Sequence, residues 1–301
     1  MRIFVTGASG FIGRAVVPEL IQAGHQVIGL ARSDASAAAL SAAGVQVQRG
    51  DLDDLETLHR VAAASDGVIH LAFKHDLAFS GAMQGAADAD LAAIGAFGRA
   101  LADSGKPLVI ASGLVGLLPG QVATEAYLPS TPSNPRMVAA QATLDLARQG
   151  VRSSIVRLSP TVHGVGDLGF MHTLIDIARQ AGASGYVADG ENRWPAVHVL
   201  DAARLFRLAV ENAPAASVLH GVAEEGVRIR EVASTIGRHL NVPVVSVPPE
   251  QTGAQFSWLG GFIGLDSPAS NTLTRELLHW QPTHPGLIAD LDEGHYFNTP
   301  A

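Results

Sequence analysis

The segment Thr6-Gly7-Ala8-Ser9-Gly10-Phe11-Ile12-Gly13 places glycines at 7, 10 and 13, directly behind the apolar run Ile3-Phe4-Val5 and ahead of an amphipathic stretch from Phe11 to Ala23 that Gly24 closes. Strand, glycine turn and helix in that order form the opening unit of a parallel α/β sheet. The first glycine permits the tight turn, the second lets backbone approach a pyrophosphate, and the third lets helix and strand pack closely. The helix start then offers free N–H groups and a partial positive charge to phosphate. The spacing predicts a dinucleotide site built from Thr6, Gly7, Ser9, Gly10, Phe11, Ile12 and Gly13.

The same rhythm continues along the chain. Strands are predicted at Gln26 to Leu30, Val45 to Gln48, Gly67 to Leu71, Leu108 to Ala111 and Ser153 to Leu158. Helices are predicted at Asp34 to Ala43, Leu55 to Ala64, near Met83 to Ala102, and at Arg136 to Arg148. Repeated βα units of this length imply an α/β fold, a doubly wound parallel Rossmann sheet with helices on both faces. Residues 1–158 are read as the dinucleotide-binding domain. Beyond Leu158, Gly, Pro and His interrupt the pattern, with short helices expected at Phe170 to Gln180 and Val227 to His239. Residues 159–301 are read mainly as a smaller C-terminal substrate-side domain, with 201–221 returning to pack on the main sheet.

Composition removes several classes. The 301-residue chain carries 28 Asp and Glu against 20 Lys and Arg, a net charge of −8, which disfavours a nucleic-acid partner. It has no cysteine, so disulfides, zinc–thiolate sites and thiol nucleophiles are absent together. Twelve histidines occur, but none in a His-Glu-x-x-His or compact His–carboxylate pattern, so no metal is expected. The apolar run at the N-terminus stops at Thr6-Gly7, and the stretch Pro107 to Pro119 is broken by Ser112, Gly113 and Gly116; neither spans a bilayer. A cytoplasmic protein acting on a small molecule is the expectation.

At the end of the second strand stand Ala31, Arg32 and Ser33, where an NAD site usually carries Asp or Glu for the ribose 2′-OH. Arg32 can pair with a 2′-phosphate, so the expected cofactor is NADP(H), although Asp34 lies close by. Asp51 and Leu52 follow the third strand, where a carboxylate either accepts from the adenine amino group or caps the next helix. Leu71, Ala72 and Phe73 end the fourth strand at the carboxyl edge of the sheet, where ligands of such folds bind.

With TGASGFIG at 6–13, GDLDD at 50–54, HLAF at 70–73, VRLSPTVHG at 156–164, PAVHVLDAARL at 195–205 and LHWQP at 278–282, nearly the whole chain resembles the extended short-chain dehydrogenase/reductase superfamily, which includes sugar-nucleotide epimerases and dehydratases. The resemblance implies that Ser112 is the catalytic serine and that Pro160 to Val162 lie beside the nicotinamide. It also implies a homodimer formed through the two long helices. It fails at the family's Tyr-x-x-x-Lys signature. The three tyrosines, Tyr127, Tyr186 and Tyr296, have no lysine four residues on, and Lys74 and Lys106 are the only lysines. Spaced from Ser112, the signature falls on Met137 and Gln141.

Hydride delivery to a carbonyl creates an alkoxide that needs a donor. His75, Tyr127, Lys74 and His163 are the candidate replacements for the missing tyrosine, with Arg136 as a clamp for an anionic group or a solvated helix-start residue. His198 and Asp201 read as structural. Phe256, Trp258, Phe262 and Ile263 form an apolar segment suited to a substrate pocket or lid, or to ordinary core. The leading expectation is an NADP(H)-dependent oxidoreductase reducing a small apolar aldehyde, ketone or quinone. The alternatives are a non-enzymatic NADP(H) redox sensor and a sugar-nucleotide epimerase or dehydratase.

Overall fold

The computed structural model describes residues 1–129 and 135–298. In chain order its first elements are β1 (Arg2–Thr6), α1 (Phe11–Gln22), β2 (Gln26–Ala31), α2 (Asp34–Ala42), β3 (Gln46–Arg49), α3 (Leu55–Ala63), β4 (Gly67–His70), α4 (His75–Phe79), α5 (Met83–Leu101), β5 (Pro107–Gly113), α6 (Pro135–Asp145) and β6 (Arg152–Leu158). There follow β7 (Thr161–His163), α7 (Phe170–Ala181), β8 (Ser184–Val187), β9 (Arg193–His198), α8 (Val199–Asn212), β10 (Ser217–Gly221), β11 (Glu224–Arg228), α9 (Ile229–Leu240), β12 (Val244–Val247), α10 (Thr252–Phe256), α11 (Thr272–Leu278) and α12 (Leu287–Asp292).

Seven strands form one parallel sheet in the order β3-β2-β1-β4-β5-β6-β10. Successive side chains of a strand point to opposite faces, and the sequence uses this. Ile3, Val5, Val109 and Val156 enter the core on one face, with Leu20 of α1 and Phe206 of α8. Phe4, Leu108, Ile110 and Ile155 enter the other, with Leu58 of α3, Phe97 of α5 and Leu144 of α6. This is the doubly wound Rossmann architecture. It puts every strand's carboxyl end on one edge and sets β1 between β4 and β2, where the chain reverses its winding.

α8 lies against α1, fastened by Arg207 to Glu19 at 2.6 Å, with Arg207 also bound to Glu211, one turn on within α8, at 2.9 Å. The Asp201 carboxylate accepts the N–H groups of Thr283 and His284, and its carbonyl accepts from Trp280 Nε1, so His198-Val-x-Asp201 anchors the C-terminal segment. His198 caps α8 through Nδ1. Both residues are structural.

The remainder builds two small sheets, β11-β9-β7 and β12-β8, over a third apolar core that includes Trp194, Phe256, Leu259 and Ile263. The helix expected from Val227 begins at Ile229, because Val227 and Arg228 pair with Trp194 and Arg193 as strand. The helix expected over 136–148 ends at Asp145 and tightens into a 3-10 turn, Leu146–Gln149, before Gly150 at φ 72°. Among the described residues no helix is long and apolar enough to cross a membrane.

Candidate active site

The glycine turn is fixed by contacts that allow no side chain at two of its three glycines. Gly7 has φ +68°, and a Cβ there would stand 2.7 Å from the Ala72 nitrogen, against the end of β4. A Cβ on Gly13 would stand 2.1 Å from the Gly7 oxygen, so α1 rests directly on the turn. At Gly10, the N-cap, a Cβ would meet only the Gly7 oxygen, at 3.2 Å, and no side chain caps the helix. The first-turn N–H groups of Phe11, Ile12 and Gly13 are thereby left for a ligand.

A buried chain of polar groups ties this turn to β4. The Ala72 N–H donates to Thr6 Oγ1 at 3.3 Å, the Thr6 hydroxyl meets His70 Nδ1 at 2.6 Å, and His70 Nε2 meets Asp90 Oδ1 at 3.0 Å. The carboxylate takes the Nε2 proton, which leaves Nδ1 to accept from Thr6. Leu71, Ala72 and Phe73 are held at the carboxyl edge by this chain, half-buried beside Gly7.

At the far end of the cradle, Ala31 is buried at the tip of β2. The Arg32 side chain is 74% exposed and, among the described residues, reaches only Asp76, at 3.5 Å. The Ser33 hydroxyl caps α2 by accepting from the Ser36 N–H. Arg49, level with Ala31 on β3, binds Asp34 at 2.6 Å and donates to the Ser33 carbonyl. The carboxylate that stands beside Arg32 in sequence is thus turned onto a second arginine, one that no sequence motif singles out. Asp51 Oδ1 accepts from the N–H groups of Asp53 and Asp54, while the cap of α3 is Asp54. Leu52 buries its side chain in the core, leaving backbone on the cradle side.

The centre of the crevice lies at the ends of β4 and β5. Ile110 packs under α5 and α6, so Ser112, two residues on, leaves β5 on the α6 face. It is half-buried, and its hydroxyl makes no hydrogen bond among the described residues. Arg136, in the first turn of α6, donates from Nη2 to the Ala111 carbonyl at 3.3 Å, and its guanidinium carbon sits 4.2 Å from the Phe73 ring centroid. Its Nε is buried with no hydrogen-bond partner. Arg136 is therefore no solvated helix-start residue. Burial holds its guanidinium below the ordinary value, with Asp90 opposing.

His75 stands edge-on to Phe73, ring centroids 5.1 Å apart, and is open to solvent on one side. Burial of its other side, then the charge of Arg136, lower its pKa. The neutral imidazole dominates at pH 7, which makes it a poor acid there. Lys74 is bridged to both oxygens of Asp53 at 2.6 Å.

Tyr127 packs with Met137 against the small apolar cluster of Leu114, Leu117, Ala123, Val222 and Ala269. Its carbonyl accepts from Arg157, which pairs in register with Ser112. Arg157 belongs to a buried cluster with Glu125 and His220. His220 donates from Nδ1–H to the Ser270 carbonyl and accepts at Nε2 from Arg157, and Glu125 Oε1 accepts from both the N–H and the hydroxyl of Thr274. Burial lowers Arg157 to about 10 and His220 to about 4.

Pro160 and Val162 lie half-buried around β7. His163 is removed from the candidate acids: it is wholly buried, and its Nδ1 is held by Asp290 at 2.9 Å beneath the small domain. Nearby, Asp290, Glu293 and His295 bring three donor atoms within 4.8 Å of one another, but Asp290 is already committed to His163 and His295.

The model of the NAD dependent epimerase/dehydratase family matches residues 3–219, and the chain belongs to that family. It is 46% identical to the uncharacterized protein C2A9.02 of Schizosaccharomyces pombe, over 99% of this chain and 100% of that one. It is 43% identical to the uncharacterized protein YLL056C of Saccharomyces cerevisiae, over 99% and 100%. In structure it resembles the UDP-glucose 4-epimerase of Thermotoga maritima, with a TM-score of 0.76, 22% identity and 98% and 96% of the two chains covered. A short match, 40% identical over 70 residues, reaches the 2-alkyl-3-oxoalkanoate reductase of Stenotrophomonas maltophilia, covering 23% of this chain and 21% of that protein.

Proposed function

We propose that the protein is an NADP(H)-dependent oxidoreductase that reduces a small, largely apolar carbonyl compound, with a proton donor other than the family's tyrosine. The observation that carries this reading is the glycine cradle. Two of its glycines admit no side chain, and it leaves the α1 N–H groups uncapped beneath the ends of β1 and β4. Those residues fit a dinucleotide, with Arg32 and Arg49 flanking the position of a 2′-phosphate and Asp34 neutralised by the second. Bound there, a reduced nicotinamide supplies the hydride. The chain's own part is to orient the carbonyl by the Ser112 hydroxyl, with Phe73, Ala111 and Arg136 closing one side of the crevice. The proton then comes from solvent or Tyr127, or from His75 only below pH 7, where its imidazole is protonated.

Met137, at the position of the missing tyrosine, packs in an apolar cluster, and this favours a second reading. The protein would then bind NADP(H) as a redox sensor and turn nothing over. Titration with NADPH and NADH by cofactor fluorescence, followed by a pool of aldehydes, ketones and quinones, separates the two. Tight NADPH binding with consumption supports the reductase. Tight binding without consumption supports the sensor, and binding of neither cofactor overturns both. With an active substrate in hand, Ser112→Ala is expected to lower turnover; unchanged turnover with every carbonyl would remove Ser112 from the site.

A further inference from the structure

Among the described residues Arg136 is a permanent cation without a permanent counter-ion. Its Nε is buried and makes no hydrogen bond, and among the described residues no carboxylate lies within ion-pairing distance of it. Among those residues it touches neutral groups, the Ala111 carbonyl and the face of Phe73. The carboxylates around the crevice are engaged elsewhere: Asp90 with His70, Asp53 with Lys74, and Asp76 with Arg32. Removing a charged donor from water and leaving it unpaired is costly, because the lost hydration is not replaced. A fold that keeps such a group at the carboxyl edge of its sheet has a use for it.

We propose that Arg136 is an anion-recognition residue and that the substrate is an oxo acid, its carboxylate on the Arg136 guanidinium and its carbonyl at the neighbouring Ser112. The inference rests on the reductase reading and names the substrate class within it. A guanidinium suits a carboxylate because its planar fork gives parallel, charge-assisted donors. Stacking on Phe73 fixes the plane before the ligand arrives, and the hydrogen bond to the Ala111 carbonyl sets its position one residue from Ser112. The lowered pKa values of both Arg136 and His75 trace partly to this uncompensated site, and an anion relieves both.

The cofactor's pyrophosphate is the rival anion; the uncapped α1 N-terminus, at this same carboxyl end of β4 where Gly7 meets Ala72, is the group that fits it. The rest of the substrate would be apolar. Phe170 lies 5.3 Å from Trp258 and 5.4 Å from Trp194, ring to ring. Trp194 in turn donates to the carbonyl of Leu265, and the Leu265 side chain abuts Gly116 in the loop after β5. Phe170 and Trp258 are half-buried and Trp194 is wholly buried, and through Trp194 and Leu265 the group adjoins the loop that leaves Ser112.

The test uses the full-length protein saturated with NADP+ and two probes, 3-oxooctanoate and its methyl ester, followed by calorimetry. The acid is expected to bind more tightly than the ester. Arg136→Gln is expected to weaken the acid by about 10- to 150-fold, the range of a hydrogen bond to a charged group, and to leave the ester unchanged; Arg136→Lys loses less. NADP+ affinity and the thermal unfolding temperature, measured on each variant, report an intact fold. Equal binding of acid and ester, or an unaltered acid affinity in Arg136→Gln, overturns the proposal. A tenfold loss of NADP+ affinity with acid binding kept assigns the guanidinium to the cofactor and overturns it as well. Failure of the unmodified protein to bind NADP+ brings down the reductase reading itself, and the proposal with it.

Discussion

The guanidinium carbon of Arg136 lies 4.2 Å above the ring of Phe73. This contact joins two parts of the molecule that the topology keeps apart in sequence. Phe73 follows β4, whose position is set by the Thr6–His70–Asp90 chain beneath the glycine turn. Arg136 opens α6, at the residue before the place where related enzymes carry their tyrosine. A cation–π contact contributes about 0.5–1 kcal/mol, about 2 or more when desolvated, so it holds the start of α6 against the end of β4.

The second and third glycines of the turn, Gly10 and Gly13, should respond differently to the same methyl group. Gly13→Ala forces a Cβ to 2.1 Å from the Gly7 oxygen, where only backbone movement gives relief. It is expected to destabilise by about 1–3 kcal/mol or more, as overpacking does, and to lower the unfolding temperature in calorimetry. Gly10→Ala meets a single atom at 3.2 Å. It is expected to leave the fold nearly intact while impairing dinucleotide binding in a fluorescence titration. Equal thermal losses in the two variants would contradict this division.

Cofactor choice should depend on two arginines. Arg32→Ala removes a guanidinium that is 74% exposed and holds only a 3.5 Å contact, so stability is expected to be unchanged. NADPH affinity should fall by about 10- to 150-fold, the range of a charge-assisted bond, with NADH unaffected. Arg49→Ala frees Asp34 near the proposed 2′-phosphate position and should weaken NADPH in the same direction. Parallel binding curves for both cofactors in unmodified protein and variants would remove the 2′-phosphate assignment.

Much of this architecture is legible in the sequence, and the reasons for the rest are physical. The inner strands β1 and β4, and the first half of β5, are continuous apolar runs between helices, because both of their faces are covered; Val68, Ile69 and Val109 are wholly buried. The small sheets are hidden because β7, β8 and β12 are three or four residues long and pair with distant segments. Arg136 reads as a solvated charge because only tertiary packing brings Phe73 over it. Arg49 escapes notice because its role depends on β3 pairing in register with β2. The Glu125–Arg157–His220 cluster joins residues far apart in the chain, and only the β6–β10 pairing and the loop after β5 bring them together.

The buried link between the turn and β4 should be a stability element. Asp90→Ala strands the His70 Nε2 donor, on a residue only 2% exposed, with no acceptor. A loss of about 1–3 kcal/mol is expected, measured by urea unfolding. Dinucleotide affinity should fall with it, because Ala72 and Phe73 lose their support. An unchanged midpoint would show that the chain contributes no net stability.

Acid should unfold the protein partly through His220. Burial lowers this imidazole from 6.5 to about 4, with Arg157 adding to the effect and Glu125 and the Ser270 carbonyl opposing it. The folded form therefore keeps it neutral, while the unfolded chain protonates it near its ordinary value. Between pH 6.5 and about 4 the unfolded state binds the extra proton, so stability rises with pH and is lost as pH falls through that window. The contribution is on the order of 3 kcal/mol, since each tenfold change in proton affinity is worth about 1.4 kcal/mol. His220→Gln keeps a donor and an acceptor but cannot titrate. It is expected to lower stability at about pH 7.5, through imperfect replacement, and to flatten the fall between pH 6.5 and about 4 in urea titrations run at each pH. Carboxylates away from this cluster titrate in both proteins alike, so the difference between the two slopes reports the imidazole together with the Glu125 charge that faces it. Parallel slopes would mean that His220 is protonated as readily in the fold as out of it.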